Sequence, residues 1–201
     1  MIVILSLMKY RKSIFHSVLL LWAIPSAFGQ SVHLPLKQVK REHRAAWRKI
    51  INWPTECEDA FQKTYPDTDD FGGLEFYRAG KFQYLVQITC YPGAYQPGSV
   101  MAWYYAKSQK ARLLKFKGRE SQDEKGKELP YSEINGFVTW GSQSQVLEIF
   151  SKSRGVGGCG FFGRYGFKSG QPILLTAREQ DCEGTASQKS LNPRRWPRKK
   201  L

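Results

Sequence analysis

Between Arg154 and Gly160 the chain reads Arg-Gly-Val-Gly-Gly-Cys-Gly, a run whose residue types suggest two chemistries. Residues 155–160 fit the Gly-x-Gly-x-x-Gly spacing that brings a dinucleotide pyrophosphate onto a helix N-terminus. That use needs a helix after the glycines, and Phe161-Phe162-Gly163-Arg164-Tyr165 reads as a strand, so the nucleotide reading is set aside. The alternative is a tight backbone corner. Glycines permit positive φ and close chain approach, and Cys159 offers a covalent tie. Arg154 then stands at the mouth as a candidate anion contact beside free N–H groups, with pairing to a carboxylate as its plainer role. Gly157 and Gly160 are the glycines of that candidate surface.

The other residue types that do chemistry are sparse. The three histidines are His16, His33 and His43, all ahead of residue 45. Ser-His-Asp and Cys-His nucleophile systems need an imidazole as base, and histidine-ligated metal sites need one as ligand. A body beginning at residue 45 therefore excludes those classes. Asp67-Thr68-Asp69-Asp70-Phe71-Gly72 resembles the start of a calcium loop, but Phe71 and Arg78 stand where the fifth and twelfth positions require oxygen ligands. It reads as an acidic turn. Glu75, Glu148, Glu179 and Asp181 are the carboxylates from which a glycosidase pair would be drawn; solvent-facing strand charges are the simpler account. No cofactor or metal site is expected, and no catalytic residue is assigned. Tyr91, Tyr95, Trp103 and Tyr104 suit a sugar platform, although strand aromatics usually belong to the core.

Cys57, Cys90, Cys159 and Cys182 are the only cysteines, an even count that suggests two disulfides. Of the three possible pairings, Cys57–Cys90 with Cys159–Cys182 is preferred, because each closes a local loop between neighbouring elements. In the loop-entropy picture each bridge stabilises the fold by about 3–4 kcal/mol. Zinc needs closer ligand pairs than these, and there is no Cys-x-x-Cys.

An oxidising destination agrees with the N-terminus. Lys9, Arg11 and Lys12 precede an apolar run from Ile14 to Ile24, and Pro25-Ser26-Ala27-Phe28-Gly29 supplies a helix break and small residues. This is a secretory signal with cleavage after Gly29; the apolar run is short for a membrane span, so no stable span is expected in the mature chain. Met8 is an alternative start. The formal charge of +14 is concentrated at the ends. Residues 30–44 read as a basic leader, residues 45–192 as the folded body, and residues 193–201, with Arg194, Arg195, Arg198, Lys199 and Lys200, as a solvated basic tail. Such a tail suits contact with an anionic envelope surface better than nucleic acid, and its removal is expected to leave thermal stability nearly unchanged.

The elements that must position the corner follow from periodicity. Thr55-Glu56-Cys57-Glu58 has the capping-box pattern with Thr55 as N-cap, so a helix is expected from 55 to about 64, ended by Pro66. From Leu74 the period becomes two. Strands are expected at 74–78, 82–90, 100–106, 111–117, 137–140, 146–152, 161–168 and 172–179. Residues 79–81 and 169–170 read as turns, and 118–133 as a long exposed loop. The fold class is mainly β: an antiparallel sandwich or barrel of about seven or eight strands with one short N-terminal helix.

Two elements together resemble a known family. Cys90-Tyr91-Pro92-Gly93-Ala94-Tyr95-Gln96 carries a cysteine followed after two residues by Gly-Ala-Tyr, and Arg154 to Gly160 is followed by Tyr165, Phe167 and Asp181-Cys182. The chain resembles, over roughly residues 45–197, the bacterial exported family described as domain of unknown function number eleven seventy-six, seen in cyanobacteria and proteobacteria. Gly158 departs from that pattern, which has aspartate before the cysteine, so no acidic role is carried over. The resemblance implies an envelope location and a β-rich fold, and no activity. Tyr91, Gly93 and Tyr95 of the Gly93-Ala94-Tyr95 loop join Arg154, Gly157 and Gly160 of the glycine corner as the candidate contact surface. The expected function is a non-enzymatic binding or structural module of the envelope; the alternative is a carboxylate-dependent hydrolase of cell-wall glycans.

Overall fold

The computed structural model describes residues 38–67, 70–118, 130–183 and 190–199. The expected signal sequence, the first part of the expected leader and most of the charged 118–133 stretch lie outside the described residues. What remains is nine strands in two antiparallel sheets, with two helices. The first sheet runs β1 (Leu74–Gly80), β2 (Gln83–Tyr91), β3 (Gly98–Tyr105) and β4 (Lys110–Leu113), and β5 (Glu133–Asn135) pairs with the start of β3. The second runs β6 (Phe137–Gly141), β7 (Val146–Lys152), β8 (Gly160–Lys168) and β9 (Gln171–Gln180). Alternation of apolar and polar residues places one face of each sheet inward. Leu85, Met101, Trp103, Leu114, Phe116 and Ile134 of the first sheet region meet Leu147, Ile149 and Tyr165 of the second. Trp103 and Tyr104 are core residues, not a sugar platform.

The opposite face of the first sheet is covered by α1 (Arg41–Ile51) and α2 (Thr55–Thr64). Trp47 of α1 packs at a tilt on Phe76 and edge-to-face on Tyr104, at centroid distances of 4.6 and 5.3 Å. The reading of 30–44 as a leader is corrected from residue 39 onward. Val39 and Arg44 are buried, and α1 begins at Arg41. Its buried stripe is Arg44, Trp47 and Ile51, which keeps helical spacing but starts with an arginine; the charge disguised the period. His43 therefore belongs to the folded body, exposed on α1 beside Glu42.

Helix α2 has the expected bounds and a different start. Its N-cap is Pro54, with no side-chain cap. Thr55 Oγ1 instead accepts from Arg48 (3.1 Å), and Glu58 turns inward to accept from Arg44, Trp53 and Gln62. Strand β5 was missed because three residues are too few to show a period, and Tyr131, expected in an exposed loop, exchanges two backbone hydrogen bonds with Phe116.

The tail is the largest correction. Residues 193–195 form a 3-10 turn and Trp196 is fully buried. The segment continues as an extra edge on β9: Glu179 N–H donates to Pro197 O (3.1 Å) and Lys199 N–H to Ala177 O (2.9 Å). Arg194 and Lys199 meet Glu148 and Glu179 at 2.6 and 3.2 Å. A buried tryptophan, two backbone hydrogen bonds and two ion pairs dock a segment that composition marks as solvated.

Both preferred disulfides are present, Cys57–Cys90 joining α2 to β2 and Cys159–Cys182 joining the corner to the end of β9. They span 33 and 23 residues. Denatured, unreduced protein should take up no thiol-alkylating label, and reduced protein should take up four equivalents, read by intact mass; any label before reduction contradicts the pairing.

Candidate functional site

The glycine corner grows out of the end of β7 and returns into β8. Ser153 N–H donates to Cys159 O and Gly157 N–H to Arg154 O, each at 3.0 Å, closing the corner on itself. Gly160 has φ of 141°, and a Cβ there would stand 2.1 Å from Ser151 O, so only glycine fits the re-entry. Gln180 Nε2 donates to Gly158 O, and Cys182 ties Cys159 from the same strand end.

The second element, the connection from β2 to β3, is built in the same manner. Cys90 anchors it to α2. Gly93 turns with φ of 62° where a Cβ would meet Gln96 O at 2.1 Å. The Tyr91 ring lies directly on Gly98, and its phenol donates to Glu133 (2.6 Å), with Asn135 Oδ1 at 2.5 Å. Burial and then the Glu133 bond push the Tyr91 phenol up to about 12.

The second element reaches back to the first through Gln96, 56 residues from Lys152. Gln96 Oε1 accepts from Lys152 N–H at 2.7 Å, and Gln96 Nε2 donates to Lys152 O at 3.1 Å. The Tyr95 ring then lies against Gly155, where a Cβ would be 2.9 Å from it. Around this junction Tyr95, Val156 and Leu191 are 69, 80 and 70 % exposed, which is unusual for large apolar side chains gathered in one place. Arg154 is exposed beside them and makes no ion pair among the described residues.

The six candidate residues thus divide. Arg154 and Tyr95 are available to a partner. Gly93, Gly157 and Gly160 shape the backbone, and Tyr91 fastens the loop to β5. Sequence reasoning passed over Val156, Leu191 and Gln96. Val156 and Gln96 lay inside the quoted motifs, but no spacing rule distinguishes a clamp glutamine from a surface one.

Of the candidate carboxylates, Glu75, Glu148 and Glu179 do not assemble, and Asp181 is exposed just beyond the end of β9. Glu148 is held by Arg164 and Arg194, and Glu179 by Lys199. Pairing of Glu148 with Arg164 and of Phe161 with Glu179 puts those two glutamates on opposite faces of one sheet. Glu75 lies in the other sheet and accepts from the Tyr77 phenol at 2.5 Å, whose pKa burial and that glutamate raise. Asp67 and Asp70 pair with Arg41 and Lys40, so the acidic turn fastens the start of α1. Among the described residues no group of His, Cys, Asp and Glu is placed to hold a metal ion. No helix there is long and apolar enough to cross a membrane.

Comparison with family models, with curated proteins and with solved structures finds no match for this chain.

Proposed function

We propose that the protein is an exported, disulfide-stapled binding module of the bacterial cell envelope, periplasmic or extracellular, and that it meets its partner at the junction of the glycine corner and the Tyr95 loop. The observation that carries this reading is the Gln96 clamp. It makes one rigid surface from two distant elements and leaves Tyr95, Val156 and Leu191 exposed around Arg154, which has no ion pair among the described residues. Preorganised aromatic and arginine side chains are the residue types that supply most binding energy at protein surfaces. Export is supported by the paired cysteines, which indicate an oxidising compartment, together with the signal pattern and the resemblance to the exported family of unknown function. The hydrolase reading draws no support from the geometry, because Glu75 lies in one sheet and Glu148 and Glu179 on opposite faces of the other. The tail is a poorer anion contact than its composition implies, since Arg194 and Lys199 are spent on Glu148 and Glu179.

The test is a pull-down from envelope extract with the protein carrying Tyr95→Ser and Arg154→Gln together. Both side chains are exposed, so the melting temperature should move by less than about 2 °C while the captured species is lost. Equal capture by the variant sinks the assignment of this surface. Release of reducing sugar ends from wall glycan by the unaltered protein would instead revive the enzyme.

A further inference from the structure

The end of the sandwich away from the corner carries a second feature, which does not depend on the reading above. Four tight connections meet there: residues 81–82, 106–109, 142–145 and 169–170. Hydrogen bonds join them into one surface. Ala106 N–H donates to Phe82 O at 2.9 Å. Tyr105 and Arg112 both donate to Ser169 O, at 3.3 and 3.1 Å, and Trp140 Nε1 donates to Arg78 O at 3.2 Å. Gly170 rests on the Trp103 indole, closing the two sheets at this end.

Arg78, Lys81, Lys107, Lys110, Arg112 and Lys168 project from this end, all exposed. Segments 77–84, 104–113, 140–147 and 166–172 contain no Asp or Glu, and none of the six cations makes an ion pair among the described residues. Unpaired like charges gathered on a rigid frame raise the local potential and attract polyanions. The 142–145 connection, Ser-Gln-Ser-Gln, is exposed throughout and adds amide and hydroxyl donors. Phe82 sits at the tip with φ of 60°, a left-handed conformation costly for a bulky residue, and its ring is 51 % exposed under the Lys81 ammonium.

We propose that this end binds a linear anionic polysaccharide, a sugar chain bearing carboxylate or sulfate groups. Cations spread over four fixed connections suit charges repeated along a chain. The serine and glutamine side chains suit sugar hydroxyls, and the one presented ring suits stacking on a sugar face. A lipid surface would need more insertable apolar area than the Phe82 ring and the partly exposed Ile173 supply. Single-stranded nucleic acid is bound on series of stacked aromatic rings, and this end presents one exposed ring.

The experiment titrates the full chain with polygalacturonate and with dextran sulfate, using neutral dextran as control. One triple variant, Lys81→Gln with Lys107→Gln and Lys168→Gln, removes charge from this end. A second, Lys49→Gln with Lys63→Gln and Arg195→Gln, removes the same charge from other exposed positions. The expected result is binding that weakens steeply with salt. It falls about tenfold or more in the first triple and changes little in the second, with melting temperature held in both. Phe82→Gly, which relieves the left-handed strain, should weaken binding without lowering the melting temperature. No binding at low salt, equal loss in the two triples, or tighter binding to phosphatidylglycerol vesicles or single-stranded DNA that the first triple abolishes would overturn the assignment.

Discussion

Replacing Arg44 with methionine should lower the unfolding free energy by about 3–5 kcal/mol, the cost of leaving one partner of a buried pair without its counter-charge. Arg44 is buried beneath the first sheet's outer face. Its Nε donates to Glu58 Oε2 at 2.9 Å, Nη1 to Gly72 O at 2.8 Å and Nη2 to Thr89 O at 3.3 Å. The guanidinium also lies 3.5 Å from the Phe61 ring centroid. One side chain thereby fastens α1 to α2, to the turn before β1 and to β2, next to the Cys57–Cys90 bridge. Glu58 in turn accepts from Trp53 at 2.9 Å and from Gln62 at 2.6 Å. Arg44→Met leaves this carboxylate desolvated and unneutralised. Glu58→Gln is milder, because the amide oxygen still accepts, but it strands a buried guanidinium. The two losses should not add: the double variant Arg44→Met with Glu58→Gln should cost less than the sum of the single variants, because neither buried charge is then left without its partner. Urea unfolding measures all three, and a loss under about 1 kcal/mol for Arg44→Met would show the pair to be dispensable.

The same pair sets an acid limit. Burial pushes the Arg44 pKa down to about 10, against the pull of Glu58, which leaves it charged at neutral pH. Burial pushes the Glu58 carboxyl up, but hydrogen bonds from Gln62 and Trp53 and the Arg44 charge outweigh it, and the pKa settles below its ordinary 4.5. A carboxyl with a lowered folded pKa binds its proton more readily in the unfolded chain. Its contribution is therefore complete above the ordinary value and is lost as pH falls below it. Unfolding free energy measured through that range should decline less steeply in Glu58→Gln than in the unaltered protein.

Trp196→Ala should cost a similar amount, about 3–5 kcal/mol, as for other buried aromatic truncations. On a domain of this size that corresponds to a fall in melting temperature on the order of 10 °C. The indole packs on Phe150 at 5.6 Å between centroids and donates to Ser190 O at 2.6 Å, and the Trp196 carbonyl accepts from Arg178. Phe162, which points away from the sandwich core in register with Phe150, is 4 % exposed, so the tail supplies the cover for this patch. Deleting 193–201 removes that cover and bares the β9 edge, an unpaired strand that invites association with other chains. The deletion should be less stable than Trp196→Ala and should aggregate on heating. An unchanged melting temperature in both would restore the solvated tail that the composition suggests.

What could be read from residue order alone had a local cause. Residues 146–152 alternate over their whole length, so a half-buried strand was legible there. Cysteines 33 and 23 residues apart on adjoining elements paired as neighbours do. The glycines of residues 155–160 marked a corner, and the strand after them argued against a phosphate loop; β8 stands there.

What went unread had a non-local cause. Arg44 and Trp196 sit in stretches that composition marks as solvated, yet both are buried, and what buries them is a partner elsewhere in the chain: Glu58 for the one, the outer face of β7 and β8 for the other. The glycine corner was visible as a turn with an arginine at its mouth. Its junction with the Tyr95 loop exists only because Gln96 reaches a backbone 56 residues away, and the cationic end exists only because four separate turns are stacked together. Sequence thus determined the sheet class and the corner and favoured one pairing of the cysteines, since period, loop closure and glycine freedom are properties of neighbouring residues. Which charges are buried, which tail is docked and which distant loops share a surface was decided by packing, because those energies depend on contacts that no local spacing encodes.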